Sequence, residues 1–117
     1  MKKTAIVTGG GSGIGLATAQ RLHADGYDVF TVGLGEPEQR VEGIHYQELD
    51  VTNDDAVAGF FEQFERVDAI VNAAGIIDHN REWELDGFSR VIDVNLTAVL
   101  RITNSALPGL KVARGAV

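Results

Sequence analysis

The sequence predicts an α/β fold in which a doubly wound parallel sheet is covered by helices on both faces. Through the first half of the chain, short β-rich runs alternate with segments of helical periodicity, as they do when crossover helices join parallel strands. A glycine-rich turn separates the first strand from the first helix. The fourth strand, Ala69–Val71, is apolar throughout, as expected of a strand that is covered on both faces.

Four strands and two helices are predicted before the second half of the chain becomes helical. The strands are expected at Ala5–Thr8, Val29–Val32, Ile44–Leu49 and Ala69–Val71. The first helix begins at Gly13 and ends before Asp25-Gly26, because a glycine at this point favours a helix stop. The second helix follows a cap at Thr52 or Asn53.

A long helix is predicted from Asp86 to about Leu107, where apolar residues recur at helical spacing. These residues lie on more than one side, which indicates that the helix is covered by the sheet and also by either more of its own chain or another subunit. Pro108-Gly109 is expected to end this helix. The last residues, Arg114–Val117, look like a fifth strand that has only begun, so the fold is expected to be truncated.

The composition bounds the class of protein. The 117 residues, 44% of them hydrophobic, are enough for one domain spanning residues 1–117. A formal net charge of -7 disfavours nucleic acid as a partner. Cysteine is absent and the three histidines are scattered, so neither a disulfide framework nor a metal site is expected. No apolar run approaches the ~18 residues that cross a bilayer, so no membrane partner is expected and the working hypothesis is a cytoplasmic protein.

The glycine-rich turn is the strongest functional signal in the chain. Residues 8–15 read Thr-Gly-Gly-Gly-Ser-Gly-Ile-Gly. Glycines let a backbone turn tightly and approach a pyrophosphate, while the amides and the positive dipole end of the following helix stabilise the anion. A plain flexible turn is the alternative, although the strand before it and the helix after it favour phosphate binding. A kinase-type phosphate loop fits poorly, because no Lys-Ser or Lys-Thr pair follows the glycines.

This turn resembles the Thr-Gly-x-x-x-Gly-Ile-Gly motif of the classical short-chain dehydrogenases/reductases. Three further segments resemble those of the family in order and spacing. They are Asp50-Val51-Thr52 after the third strand, Asn72-Ala73-Ala74-Gly75 after the fourth, and Val94-Asn95-Leu96 in the long helix. Ala73 replaces the second asparagine of the family's Asn-Asn-Ala-Gly segment. The resemblance covers essentially the whole chain and implies a Rossmann-type sheet of strand order 3-2-1-4, with a stub of strand 5.

The resemblance implies that the chain binds a nicotinamide dinucleotide, NAD or NADP. In the family, the hydroxyl at Thr8 ties the glycine turn to the segment after the fourth strand, where Asn72 is the expected partner, and Asp50 contacts the adenine. Asn95 is the only catalytic-site residue of the family present here, expected to kink the long helix and to hold a water molecule for proton relay. The expected cofactor-binding residues are Thr8, Gly9, Ser12, Gly13, Ile14, Gly15, Gly33, Leu34, Asp50, Val51, Asn72, Ala73, Ala74 and Gly75.

The choice between NAD and NADP stays open at this stage. Family members that select NAD carry an acid at the end of the second strand, whereas this chain has Gly33 followed by Leu34. The basic residues typical of NADP-binding members are also missing, and Ser12 occupies one of their positions. Glu36 would favour NAD by binding the ribose, whereas Arg40 would favour NADP by meeting its phosphate. The balance leans to NAD.

The residues for proton transfer are missing. The family moves hydride between nicotinamide and a carbonyl or alcohol, while a tyrosine acidified by a lysine four residues later transfers the proton. Here Tyr27 and Tyr46 are followed at that spacing by Thr31 and Asp50. The chain is therefore expected to be the N-terminal portion of a dehydrogenase, inactive alone and able to use a small-molecule substrate only if a missing half completes it. The alternative is a self-standing, non-catalytic nucleotide-binding or oligomerising protein derived from that family.

A homo-oligomer is expected from two exposed apolar features. The fourth strand is left at an edge of the sheet, and exposed edges recruit partners. The resemblance implies that the long helix pairs with its counterpart across a subunit interface. Trp83 is expected to pack on a loop or an interface rather than to bind substrate, and Ser89 and Ser105 are interpreted as helix-surface residues.

Overall fold

The computed structural model describes residues 2–117 and contains one four-stranded parallel sheet. The strands are β1 (Thr4–Thr8), β2 (Asp28–Gly33), β3 (Ile44–Glu48) and β4 (Ala69–Asn72). Their order is β3-β2-β1-β4, and Thr8 at the end of β1 is in register with Val32 on one side and Asn72 on the other. The predicted strands and their order are confirmed, with bounds that differ by one residue at most.

Four α-helices and one π-helical segment accompany the sheet within the described residues. They are α1 (Gly13–Ala24), α2 (Asp54–Phe61), α3 (Leu85–Ile92), the π-helical segment (Asp93–Thr97) and α4 (Ala98–Ala113). The cap of α2 is Asn53, whose Oδ1 accepts a hydrogen bond from Ala56 N–H at 3.0 Å. Among residues 2–117, no helix has both the length and the apolar character needed to cross a membrane.

Apolar side chains pack on both faces of the sheet. Ile6 of β1 belongs to a buried cluster with Phe60 of α2 and Ile102 of α4. Its neighbour Val7 points to the opposite face and belongs to a second cluster with Ala19 of α1. Successive residues of a strand point to opposite faces, so a strand that is apolar at every position needs helices on both sides. The sheet is therefore doubly covered, as predicted.

The predicted end of the long helix at Pro108-Gly109 is wrong, because α4 continues to Ala113. A proline removes one helical hydrogen bond, but tertiary contacts hold the turn that follows. The carbonyl of Gly109 accepts a hydrogen bond from Val67 N–H at 3.0 Å, and Leu110 is 6% exposed. The helix ends at Arg114, whose φ of 53° lies in the left-handed region typical of helix ends.

The start of a fifth strand is confirmed as a single bridge beside β4. Ala116 pairs in parallel with Ala69. Ile70 N–H donates to the Ala116 carbonyl at 2.9 Å, and Ala116 N–H donates to the Asp68 carbonyl at 3.0 Å. The bridge covers the beginning of β4, so within residues 2–117 Val71 has no strand beside it on that edge.

Candidate cofactor-binding site

A cleft of about 590 Å³ lies at the carboxyl ends of the strands. Its walls are the glycine turn after β1, the loop after β2, the turn after β3, the loop after β4, and the face that α3 and the π-helical segment turn towards them. The connection from β1 leads to β2, and the chain then returns to place β4 on the other side of β1. Open parallel sheets bind ligands at such a switch point.

The structure brings part of the predicted site together at this cleft. The predicted residues that line it are Gly9, Ser12, Gly33, Leu34, Asp50, Val51, Ala74 and Gly75. The predicted residues that do not line it are Thr8, Gly13, Ile14, Gly15, Asn72, Ala73 and Asn95. Among the second group, Thr8 and Asn95 hold the walls of the cleft together through hydrogen bonds.

The amino end of α1 opens beside the cleft. The carbonyl of Ser12 accepts the first helical hydrogen bond, from Leu16 N–H at 3.0 Å. The amides of the first turn therefore have no acceptor within the helix. No acidic side chain lies in that turn. Hydrogen-bond donors and the positive end of the helix dipole thus face the space next to Ser12.

Gly13 and Gly15 differ in what a side chain at each position would meet. A Cβ on Gly15 would lie 2.0 Å from the carbonyl oxygen of Gly9, so only glycine allows α1 to approach the backbone of the turn this closely. Gly13 has a φ of 50°, and a Cβ there would meet nothing within 4 Å. Gly15 is therefore required for packing, whereas Gly13 borders open space.

Thr8 connects the glycine turn to the loop after β4. It is 1% exposed, and its Oγ1 accepts a hydrogen bond from Ala74 N–H at 3.2 Å. The expected side-chain partner, Asn72, is not the partner in the structure. Asn72 lies directly opposite Thr8 in the parallel register, so the hydroxyl at the strand end reaches the backbone two residues further on.

Asp50 begins the turn after β3 as an ionised acceptor. Its Oδ1 accepts hydrogen bonds from Thr52 Oγ1 at 2.7 Å and from Thr52 N–H at 2.9 Å. These bonds, with smaller contributions from the Arg101 and Arg90 guanidinium groups, lower the pKa of the Asp50 carboxyl below its ordinary value. Asp50 therefore presents a carboxylate to the cleft at neutral pH.

Asn95 lies in the π-helical segment and joins it to the loop after β4. Its Oδ1 accepts a hydrogen bond from Ile76 N–H at 2.8 Å, and its Nδ2 donates to the Ile76 carbonyl at 2.9 Å. The long helix is interrupted where the resemblance implies a kink at this residue. The oxygen and the nitrogen of the side-chain amide both bind the backbone of the same residue, and these bonds fix the position of Ile76 at the wall of the cleft.

Arg101 of α4 contacts the turn after β3, the start of α2 and the π-helical segment. Its guanidinium donates to the Val51 carbonyl at 3.0 Å, pairs with Asp54, and lies 3.6 Å from an oxygen of Asp93. The hydrogen bond with Asp54 is the main cause of the raised pKa of Arg101. Its side chain is 17% exposed. Arg101 thus connects α4, the π-helical segment and the turn after β3.

Membership of a family follows from comparison of this chain with known proteins. A family model described as short chain dehydrogenase matches residues 3–117. The chain belongs to the short-chain dehydrogenase family. The matched range includes the glycine turn, Asp50, the segment after β4 and Asn95. Membership and the Rossmann-like fold together imply binding of a nicotinamide dinucleotide.

Individual members of the short-chain dehydrogenase family resemble this chain over about half of their length. The short chain dehydrogenase ple7 of Rhodocybe pseudopiperita is 38% identical, over 96% of this chain and 49% of its own. The serine 3-dehydrogenase of Rhizobium radiobacter is 31% identical, over 100% of this chain and 52% of its own. The 3-oxoacyl-acyl-carrier-protein reductase MabA of Mycobacterium avium is 37% identical, over 97% of this chain and 46% of its own.

A solved structure agrees with the short-chain dehydrogenase fold. The aldohexose dehydrogenase of Thermoplasma acidophilum, in its ligand-free form, superposes with a TM-score of 0.83 and is 30% identical. The superposition covers 93% of this chain and 44% of that one. The predicted Rossmann-type architecture is confirmed, and the chain corresponds to about half of such an enzyme.

Sequence reasoning missed several residues of the cleft. The unpredicted lining residues include Gly11, Glu38, Tyr46, Leu49, Ile76, Ser89, Arg90, Asp93 and Val94. Ser89, expected only at a helix surface, lines the cleft together with Asp93 one helical turn later. Residues four apart share a helix face, so this spacing was the available signal. Tyr46 lies on a strand, and no other cleft residue of that strand is spaced from it in a way that would indicate the site from the sequence.

Trp83 is 89% exposed and does not pack on a loop. It lines a surface groove of about 650 Å³ with Leu85 and Phe88, none of which lines the cleft. Packing on an interface stays a prediction.

Proposed function

We propose that this chain is the cofactor-binding N-terminal portion of an oxidoreductase that transfers hydride between a nicotinamide dinucleotide and a carbonyl or alcohol substrate. The observation that carries the proposal is the amino end of α1, with its donor groups beside open space at Gly13 and the mouth of the cleft. The relatives include a serine 3-dehydrogenase and a 3-oxoacyl reductase, whose names support such substrates. Because this chain spans about half of them, we assign substrate binding to the other half of the longer enzyme.

The glycine turn fits a pyrophosphate. The first-turn amides of Gly13, Ile14 and Gly15 are available to phosphate oxygens, and the open space at Gly13 admits a bulky group close to the backbone. When bound, the dinucleotide supplies or accepts the hydride. The part of this chain is to hold the anion, to orient the two nucleotide halves and to shape the walls around them.

The turn after β3 is the proposed adenine site. The ionised Asp50 carboxylate is an acceptor for the amino group of an adenine. The two hydrogen bonds that it accepts from Thr52 fix its orientation. Val51 and the exposed Leu34 offer apolar contacts on the lining of the same cleft. This pairing of one acceptor with apolar walls suits a flat heterocycle.

The loop after β4 is the proposed nicotinamide end. Ala74, Gly75 and Ile76 line the cleft there, and Asn95 fixes Ile76 through two hydrogen bonds. Under this proposal Asn95 is a positioning residue for that wall, and a water molecule for proton relay is held next to it in the longer enzyme.

NAD is the proposed cofactor. Glu36 and Glu38 line the cleft near Gly33, where they would repel a 2′-phosphate. The guanidinium of Arg40, the group that would favour NADP, pairs with Glu36 at 2.8 Å. The end of β2 carries no acidic residue, so discrimination between NAD and NADP would come from the loop that follows β2.

Binding of NAD to this chain tests the proposal. Gly13→Val should weaken NAD binding more than about 10-fold, because a branched side chain would fill the space of the pyrophosphate. Gly26→Val is the matched control, since Gly26 also has a positive φ, of 93°, with nothing within 4 Å of an added Cβ, but lies outside the cleft. Calorimetry that detects no NAD binding to the unaltered chain, or an equal loss in both variants, would contradict the proposal.

We also propose that the chain forms a homo-oligomer. The residues Leu96 and Leu100 are 65% and 62% exposed on one side of the long helix, and Leu85 is 79% exposed at its start. Large apolar side chains in such a row favour a covered surface. Sedimentation that shows a stable monomer at tens of micromolar protein would contradict this part of the proposal.

A further inference from the structure

The side chain of Tyr46, a residue of β3, fills the space beside Gly33, the last residue of β2, which has no side chain of its own. A Cβ on Gly33 would lie 3.0 Å from the Tyr46 hydroxyl oxygen, and a Cβ on Gly11 would lie 3.1 Å from its ring. The ring therefore fills the space between the glycine turn and the end of β2. Tyr46 and Gly33 both line the cleft.

The hydroxyl of Tyr46 holds the loop after β2. It donates a hydrogen bond to the Gly35 carbonyl at 2.8 Å. The same loop contacts the glycine turn, because Glu38 N–H donates to the Gly11 carbonyl at 2.7 Å. The two bonds flank Glu36, whose side chain lines the cleft. Tyr46 thus fixes the backbone that carries this carboxylate.

The ring of Tyr46 also contacts Arg40. The guanidinium of Arg40 lies over the ring, 5.9 Å from its centre. It also pairs with Glu36 at 2.8 Å, so Arg40 is held beside a carboxylate that lines the cleft. Burial, followed by the nearby carboxylates of Glu48 and Glu36, raises the pKa of the Tyr46 phenol. The phenol therefore stays a neutral hydrogen-bond donor at neutral pH.

We propose that Tyr46 is a specificity-determining residue of the cofactor site. It takes the place of a side chain at the end of β2, and through its bond to the Gly35 carbonyl it holds the loop that presents Glu36 towards the adenosine ribose. The inference rests on the proposed binding of a nicotinamide dinucleotide and deepens it by naming what separates NAD from NADP.

The test compares the affinities of NAD and NADP in matched tyrosine variants. Tyr46→Phe keeps the ring and removes the hydroxyl, and the only other tyrosine, Tyr27, supplies the control Tyr27→Phe outside the cleft. The unaltered chain should bind NAD more tightly than NADP. In Tyr46→Phe the affinity for NAD should fall about 5-fold, as expected for the loss of one net hydrogen bond, with no matching loss for NADP. Tyr27→Phe should leave the ratio unchanged.

A second variant removes the whole side chain of Tyr46. Tyr46→Ala should lower the affinity for NAD relative to that for NADP at least as far as Tyr46→Phe does, because the loop that carries Glu36 loses both the hydroxyl and the ring. A purely structural role of Tyr46 would weaken both dinucleotides equally, and circular dichroism shows whether each variant is folded. Binding of both dinucleotides with an unchanged ratio in folded Tyr46→Phe and Tyr46→Ala overturns this inference alone, as does tighter binding of NADP by the unaltered chain. Binding of neither dinucleotide by the unaltered chain overturns the proposed function and this inference with it.

Discussion

The side-chain amide of Asn95 makes two hydrogen bonds to one backbone unit, accepting from Ile76 N–H at 2.8 Å and donating to the Ile76 carbonyl at 2.9 Å. Asn95 lies in a π-helical segment, and Ile76 lies in the loop that follows β4. An amide is the side chain that can donate and accept at this spacing. The bond pair therefore connects the long helix to a wall of the cleft.

Asn95→Leu should lower the free energy of unfolding by about 0.5 to 1.5 kcal/mol, because two backbone groups lose their partner at an exposed position where water replaces part of each bond. Asn95→Asp retains the acceptor and should lose less at neutral pH. Urea unfolding of both variants checks the order, with Asn104→Leu, exposed on α4, as the control for an altered asparagine. Equal stability of Asn95→Leu and the unaltered chain would show that the bond pair is not formed in solution.

Arg101→Met should lower the free energy of unfolding by about 1 to 2 kcal/mol, because the Val51 carbonyl and Asp54 lose a common partner. The side chain of Arg101 is 17% exposed and that of Asp54 is 83% exposed, so most of the loss should come from the part-buried bond to the Val51 carbonyl. The control Arg21→Met breaks a surface pair whose arginine is 79% exposed, and its effect should stay below about 0.5 kcal/mol. Thermal melts compare the two variants, and similar losses in both would contradict the role assigned to Arg101.

Acid should destabilise the chain through Asp68. The pKa of its carboxyl lies below the ordinary value of 3.8, because it accepts hydrogen bonds from Arg66 at 2.9 Å and from Thr4 N–H at 2.8 Å. A carboxyl with a lowered folded pKa contributes stability above its unfolded pKa, and this contribution is lost as the pH falls through the folded value.

Asp68→Asn should therefore lower the stability at pH 7 by about 1 to 2 kcal/mol and reduce the loss of stability between about pH 5 and pH 2. Urea unfolding across this range measures the slope. Glu65→Gln, at an exposed position, is the control for removal of one charge. An identical acid slope in Asp68→Asn and the control would exclude Asp68 as a source of the pH dependence.

The chain by itself should show no measurable dehydrogenase turnover with any alcohol or ketone. Neither Tyr27 nor Tyr46 is followed four residues later by a lysine, so the chain lacks a tyrosine of the kind that its family uses for proton transfer. The absorbance of the reduced nicotinamide, followed in a preparation free of host dehydrogenases, is the measurement. Turnover at the rate of an intact enzyme would contradict this expectation.

Local patterns were enough to predict the four strands and the first two helices, whereas the order of the strands in the sheet was implied by the resemblance to a known family. The apolar run at Ala69–Val71 and the glycines before α1 are each determined by nearby residues, and both lie where expected. The end of α4 could not be predicted, because the turn after Pro108 is stabilised by Val67 and Leu110 rather than by its own sequence. Contacts between distant segments override a local helix stop.

The candidate site was predictable where a motif lies within one segment and not where several segments meet. The glycine turn and Asp50 are recognisable from the sequence alone. The partner of Thr8 depends on the register of β1 and β4, and Tyr46 reaches the cleft only because β3 lies beside β2. Such contacts are properties of the folded sheet, so no spacing along the chain indicates them.

The most direct test of cofactor binding is a titration of the ¹⁵N-labelled chain with NAD, followed through its amide chemical shifts. The amides that shift should be those of Gly13 and Gly15 at the start of α1, with others in the loop after β2, the turn after β3 and the loop after β4. These segments form the cleft and the amino end of α1 beside it. Shifts confined to the surface groove at Trp83, or no shift at millimolar NAD, would contradict a nicotinamide dinucleotide site at the glycine turn.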